Sequence, residues 1–181
     1  MRSHVGIAIV SLAAFVTPLS AQMVTKDGAG SSGNAGVAAN GALFKQFSGL
    51  IAQVAEELPE ADYAYKPIAS VRTFGQLIGH VAGANYMFCA AALGDPPRGE
   101  GDIEKTVTTK AGLVAAIKGA NEYCARAYQL SDAQAAPKIS FFGNQATKMY
   151  VLALNSAHNA EHYGNIVTYM RMKGLVPPST R

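Results

Sequence analysis

The 181-residue chain has no Trp, only two Cys, and few charges, which make up 15% of its residues. Its Lys and Arg exceed its Asp and Glu by a formal +3, with no long run of either sign. Nucleic-acid binding needs a dense basic footprint, and an acidic membrane surface draws clustered Lys and Arg, so neither is a partner selected by bulk charge. There is no C-x-x-C-H segment for covalent haem attachment. No alternating apolar run is long enough to indicate a sheet. Against these absences stand 49% apolar residues, enough to bury a sizeable core in about one domain.

The first stretch reads as an address. Arg2, the apolar run from Val5 to Val16, Pro18 and the small residues Ser20 and Ala21 form a secretory signal peptide pattern over residues 1–21, with cleavage expected after Ala21. The run is about 12 residues, short of the about 20 that cross a hydrocarbon core; an uncleaved N-terminal anchor is the alternative. The protein is therefore expected to be secreted or periplasmic, with no membrane association once the signal is removed. Residues 22–41 are mostly Gly, Ala, Ser, Asn and Thr and read as a flexible linker. The folded domain is expected over residues 42–178. Export would place Cys89 and Cys124 in an oxidising compartment, where they either form a disulfide or pack separately as small hydrophobes.

Within the domain the apolar spacing is helical. Leu43, Phe47, Leu50, Ile51, Val54 and Leu58 follow steps of three and four until Pro59. A second helix carries Phe74, Leu77, Ile78, Val81, Met87 and Phe88 and stops near Gly94, ahead of Pro96 and Pro97. The next connection, from Asp95 to about Thr108, is long for a tight antiparallel turn and predicts a crossover between the second and third helices. The third helix is expected from about Thr109 to Leu130. The fourth runs from about Asn144 to Lys173, with Gly174 as its C-terminal cap and Pro177 and Pro178 beyond. The predicted class is all-α, a four-helix bundle with one long crossover connection. A bundle by itself specifies no chemistry.

Chemistry comes from the histidines. Beyond His4 there are three: His80, His158 and His162. The last two are four residues apart, about 40° around a helix and one turn along it, so both rings leave one face. His80 lies on the apolar stripe of the second helix with Leu77, Ala84 and Met87. Three neutral imidazoles suit Zn, Ni, Fe, Co or Cu and leave a coordination position open, the arrangement of catalytic sites. The ligands must be deprotonated, so affinity is expected to fall as pH drops through about 6.5. An i, i+4 His pair that is merely solvated or satisfied within the core has the same spacing. Glu161, about 60° from His158 around the helix, is the candidate catalytic base, with a solvated flank as its alternative. Asn155 and Asn165 flank the pair as pocket or structural residues. His158 to His162 also spells H-x-x-E-H, the order of one class of zinc peptidases, although those enzymes are far larger. A non-enzymatic metal-storing, sensing or structural bundle is the remaining alternative.

The segments Arg72-Thr73-Phe74-Gly75-Gln76-Leu77-Ile78-Gly79-His80-Val81-Ala82 and His158-Asn159-Ala160-Glu161-His162-Tyr163-Gly164-Asn165-Ile166, with Tyr169-Met170-Arg171 and Gly174 to Pro178, resemble the DinB/YfiT-like family of metalloenzymes. The resemblance spans about Leu43 to Pro178. It implies a four-helix bundle of unusual connectivity, frequently a homodimer, holding a divalent metal, often Zn or Ni, on residues here numbered His80, His158 and His162. It also implies a small-molecule substrate for a metal-dependent hydrolase or a thiol-type S-transferase. Two features depart from the family pattern. The Trp common ahead of the first His is absent, with Phe74 near its place, and the chain is expected to be exported, whereas the thiol cosubstrates of such transferases are cytoplasmic.

Overall fold

The computed structural model describes residues 34–98 and 100–181. The signal-peptide reading and most of the linker reading lie outside the described residues. Six helices and one hairpin follow in order: α1 Ala35–Glu57, α2 Phe74–Leu93, α3 Glu100–Thr106, α4 Lys110–Ala127, α5 Asp132–Ala135, β1 Lys138–Phe141, β2 Asn144–Thr147 and α6 Lys148–Met172. The four long helices, α1, α2, α4 and α6, form the bundle. No described helix is long and apolar enough to cross a membrane.

Side-chain pairings give the helix directions. Gly79 approaches Leu113, Asn85 bonds Asn121, and Cys89 is joined to Cys124, so α2 and α4 run parallel. Two consecutive parallel helices require the chain to travel back along the bundle between them, which is the crossover expected from the long 95–108 connection. Part of that return path is helical: α3 packs along α2. Asn40 and Phe47 of α1 meet Ser156 and Tyr163 of α6, so these two also run parallel. Asn85 and Cys89 of α2 meet Asn159 and Asn155 of α6 in the antiparallel sense. Because α4 and α6 each pack against both α1 and α2, the latter two face each other across the bundle.

The main core gathers Ile51, Val54, Phe74, Ile78, Val81, Leu113, Ile117 and Ile166, all almost completely buried. Each such side chain contributes about 1.5–3 kcal/mol relative to exposure. In α1 the expected apolar position Leu43 is instead 48% exposed, and the adjacent Phe44 is buried, stacking on Tyr128 at 4.6 Å. The bond between Cys89 and Cys124, with Cα atoms 5.2 Å apart, decides between the two readings of the cysteines. Helix ends follow capping chemistry. Thr73 and Gln76 form a capping box at the start of α2, and Gly94 and Gly174, at φ 81° and 72°, end α2 and α6 in the left-handed conformation that glycine adopts at no steric cost.

Two elements differ from the sequence expectation. Helix α1 begins at Ala35, inside the segment read as linker to residue 41. Its first amides are capped from a distance: Gly36 N and Val37 N donate to Asp132 Oδ2 and Oδ1 at 2.9 and 2.8 Å. A carboxylate at a helix N-terminus satisfies donors that the helix itself cannot and complements its dipole. The second difference is the antiparallel hairpin, in which Lys138 pairs with Thr147 and Phe141 with Asn144. The fourth long helix therefore starts at Lys148, not near Asn144. Phe142 and Gly143 make its turn with φ of 48° and 76°, the doubly positive pair of a type I′ hairpin.

Candidate metal centre

His80 sits in the middle of α2, and His158 and His162 occupy successive turns of the antiparallel α6. All three project into the seam between these helices. His158 Nε2 lies 3.2 Å from His80 Nε2 and 3.0 Å from His162 Nε2. The three rings pack with centroids 4.3–5.1 Å apart. One ligand nitrogen from each falls within 4.8 Å of the others, and these are the residues that the sequence singled out.

This arrangement fits a shared cation better than a hydrogen-bond network. An imidazole nitrogen carries either one in-plane lone pair or one proton, so His158 Nε2 cannot bond both neighbouring nitrogens at once. Two nitrogens each about 2.0–2.1 Å from a tetrahedral Zn stand about 3.3 Å apart, close to the observed spacings. Protonation of His158 and His162 is disfavoured. Burial, followed by the neighbouring imidazoles of His162 and His80, pushes His158 down to about 3. Burial, followed by His80, pushes His162 down to about 4, against the opposing pull of Glu161 and Glu104. Both are therefore neutral near pH 7, the form that ligates metal.

The sequence reading did not find Glu104. It lies on α3, where a loop was expected, and its Oε2 stands 3.3 Å from His80 Nδ1 while its Oε1 accepts from Arg72 Nε at 2.9 Å. A carboxylate on the outer nitrogen of a ligand histidine keeps the proton there and the lone pair on Nε2. The close approach depends on Gly79: a Cβ there would come within 2.9 Å of Glu104 Cα. The only sequence signal for this contact is the glycine directly before His80, and it does not identify the partner.

The other candidates divide. Asn165 Nδ2 lies 3.4 Å from His162 Nδ1; the opposite amide orientation would present Oδ1 to accept the Nδ1 proton and free Nε2 for a metal. Asn155 is structural, with its Nδ2 directed at Tyr128 Oη, Cys89 Sγ and Cys124 Sγ. Glu161 is exposed on α6 next to His162. Tyr163 packs in the core and bonds Ser179 at 2.8 Å. On the far side, Phe88 lies 5.6 Å from the His158 ring and carries Phe141 and Phe142 of the hairpin. One flank of the site is thus aromatic.

The opposite flank opens into a cavity of about 640 Å³ lined by Lys66, Arg72, Gln76, Glu104, His162, Asn165 and Tyr169, among others. A larger groove, about 760 Å³, runs between α1 and α4 but includes none of the histidines. The smaller cavity is the relevant one, because it reaches the cluster at His162.

Comparison with known proteins gives the fold and the family. No curated protein sequence matches the chain. Among solved structures, a DinB-like protein, YjoA, from Bacillus subtilis is 23% identical with a TM-score of 0.61, over 76% of this chain and 93% of that one. A DinB-like protein from Bacillus cereus is 19% identical with a TM-score of 0.64, over 73% and 89%. YfiT from Bacillus subtilis, described as a probable metal-dependent hydrolase with an unusual four-helix bundle topology, is 15% identical with a TM-score of 0.61, over 86% and 93%. At these identities the likeness establishes the fold. The model of the DinB superfamily matches residues 43–166, which include all three clustered histidines and most of the bundle, and the chain belongs to that superfamily.

Proposed function

We propose that this protein is an exported metalloenzyme of the DinB type that holds a divalent ion, Zn or Ni, on Nε2 of His80, His158 and His162 and hydrolyses a small organic substrate. The observation that carries the reading is the convergence of one ring nitrogen from each of His80, His158 and His162 beside an open cavity. An ion held by three histidines supplies Lewis acidity and lowers the pKa of water at its open position. Around it, Glu104 fixes the orientation and tautomer of His80, Asn165 orients His162, and the buried Phe88 and Phe141 close one side against water. Glu161 is assigned as the proton acceptor for the attacking nucleophile. YfiT's description as a probable metal-dependent hydrolase supports hydrolysis over thiol transfer. The disulfide supports export, since such bonds persist in oxidising compartments.

The test is turnover of a panel of small esters and amides by the purified protein. Activity should be lost on chelation, return with Zn or Ni, and be absent in His162→Ala. A protein that retains stoichiometric metal but turns over none of the panel would favour the non-enzymatic reading.

A further inference from the structure

The cavity beside His162 is unevenly charged. Two cations, Lys66 and Arg72, line it against one carboxylate, Glu104. That carboxylate is engaged on both oxygens, by Arg72 Nε and by His80 Nδ1. A guanidinium offers more than one edge for a planar anion. Glu104 takes the Nε side, and the Nη groups of Arg72 make no hydrogen bond or ion pair among the described residues. Lys66 Nζ is held at the rim by one bond to Ala69 O at 3.0 Å. The first amides of α2, which also begins at this cavity, are already committed: Phe74 N to Tyr65 O, Gly75 N to Tyr63 O, and Gln76 N to Thr73 Oγ1. Anion recognition here therefore falls to side chains, with Gln76 and Asn165 as further polar groups on the walls.

We propose that this cavity is an anion-binding subsite, and that the substrate of the metal centre carries a carboxylate or phosphate group held by Arg72 and Lys66 while its reacting end lies at the His162 edge. A charge-assisted, forked contact to guanidinium supplies orientation as well as affinity. A divalent ion held by the three histidines would add to the net positive charge of the walls and favour an anionic ligand further. A cavity of about 640 Å³ fits a small molecule and not a polymer. The identification of the ligand as substrate rests on the metal-enzyme reading; the subsite itself does not.

The experiment is a calorimetric or NMR titration of the full chain with phenylphosphonate, and with benzyl alcohol as a neutral control, in metal-free and Zn-loaded forms. Phenylphosphonate is expected to bind both forms and benzyl alcohol neither. Lys66→Gln should weaken phenylphosphonate binding about 3- to 10-fold, with Zn stoichiometry unchanged, and Arg72→Gln by about 10-fold or more. Equal affinity in wild type and Lys66→Gln overturns the subsite, and this variant leaves the Arg72–Glu104 pair intact. Binding confined to the Zn-loaded form and insensitive to both substitutions also overturns it, because the anion then sits on the ion alone. Phenylphosphonate binding to a protein that takes up no Zn would uphold the subsite while removing the metal reading.

Discussion

Glu104 Oε2 stands 3.3 Å from His80 Nδ1, joining the crossover segment to the middle of α2 and to the three-histidine cluster. The contact ties the bundle's topology to the site, because only a chain that returns along α2 passes this face of His80. Glu104→Gln keeps the shape of the side chain and removes its charge. It should weaken Zn affinity about 10- to 100-fold, as loss of a carboxylate behind a ligand histidine does. Competition with a chromophoric chelator measures this, and unchanged affinity would contradict a positioning role for Glu104.

The buried imidazoles determine how the metal-free protein responds to acid. His158 at about 3 and His162 at about 4 lie below their ordinary value of 6.5. As pH falls below about 6.5 the unfolded chain takes up protons that the folded chain refuses, so stability declines with falling pH. The loss runs from about 6.5 down through about 4 and then 3, where the folded protein protonates in turn. For these two ligands, proton competition with metal moves to the same low range, below the pH of about 6.5 expected from the sequence alone. Ring C–H signals of His158 and His162 should not titrate between about pH 7 and about 5. A midpoint near 6.5 for either ring would contradict the account.

The bond between Cys89 and Cys124 spans a separation of 35 residues and joins two parallel helices that the chain connects only through the crossover. Replacing both cysteines by Ala should lower unfolding stability by about 2–4 kcal/mol. Denaturant unfolding under non-reducing conditions is the measurement, and an unchanged midpoint would show that the crosslink adds no constraint.

Asp132 caps α1 through the Gly36 and Val37 amides. Asp132→Ala should cost about 1–2 kcal/mol, the range for loss of a strong helix cap. Hydrogen exchange at Gly36 and Val37 should accelerate while exchange at Ile51 and Val54 does not. Equal protection at all four amides in wild type and variant would contradict the capping.

The histidine cluster was legible because its signal is local: four-residue spacing puts His158 and His162 on one face, and His80 shares an apolar stripe with Leu77. The crossover was legible because fourteen or so residues are more than a tight helix–helix turn needs. Glu104 was not legible, because α3 is a polar seven-residue helix and its partner is set by tertiary packing at Gly79. The start of α1 was hidden for a similar reason. Its first turn is Ala, Gly and Val with little apolar period, and the carboxylate that caps it is distant in sequence. The hairpin strands are four residues each, and the Phe142-Gly143 turn lacks the Asn-Gly or Asp-Gly pair that marks such turns.

X-ray absorption at the metal edge, on protein purified without added metal, tests the central claim most directly. The account predicts near-stoichiometric Zn or Ni with three imidazole nitrogens at about 2.0–2.1 Å, and loss of that signature in His158→Ala. A protein that carries no such metal and takes up neither Zn nor Ni from micromolar solution would contradict it, as would a bound ion whose imidazole coordination is unchanged in His158→Ala.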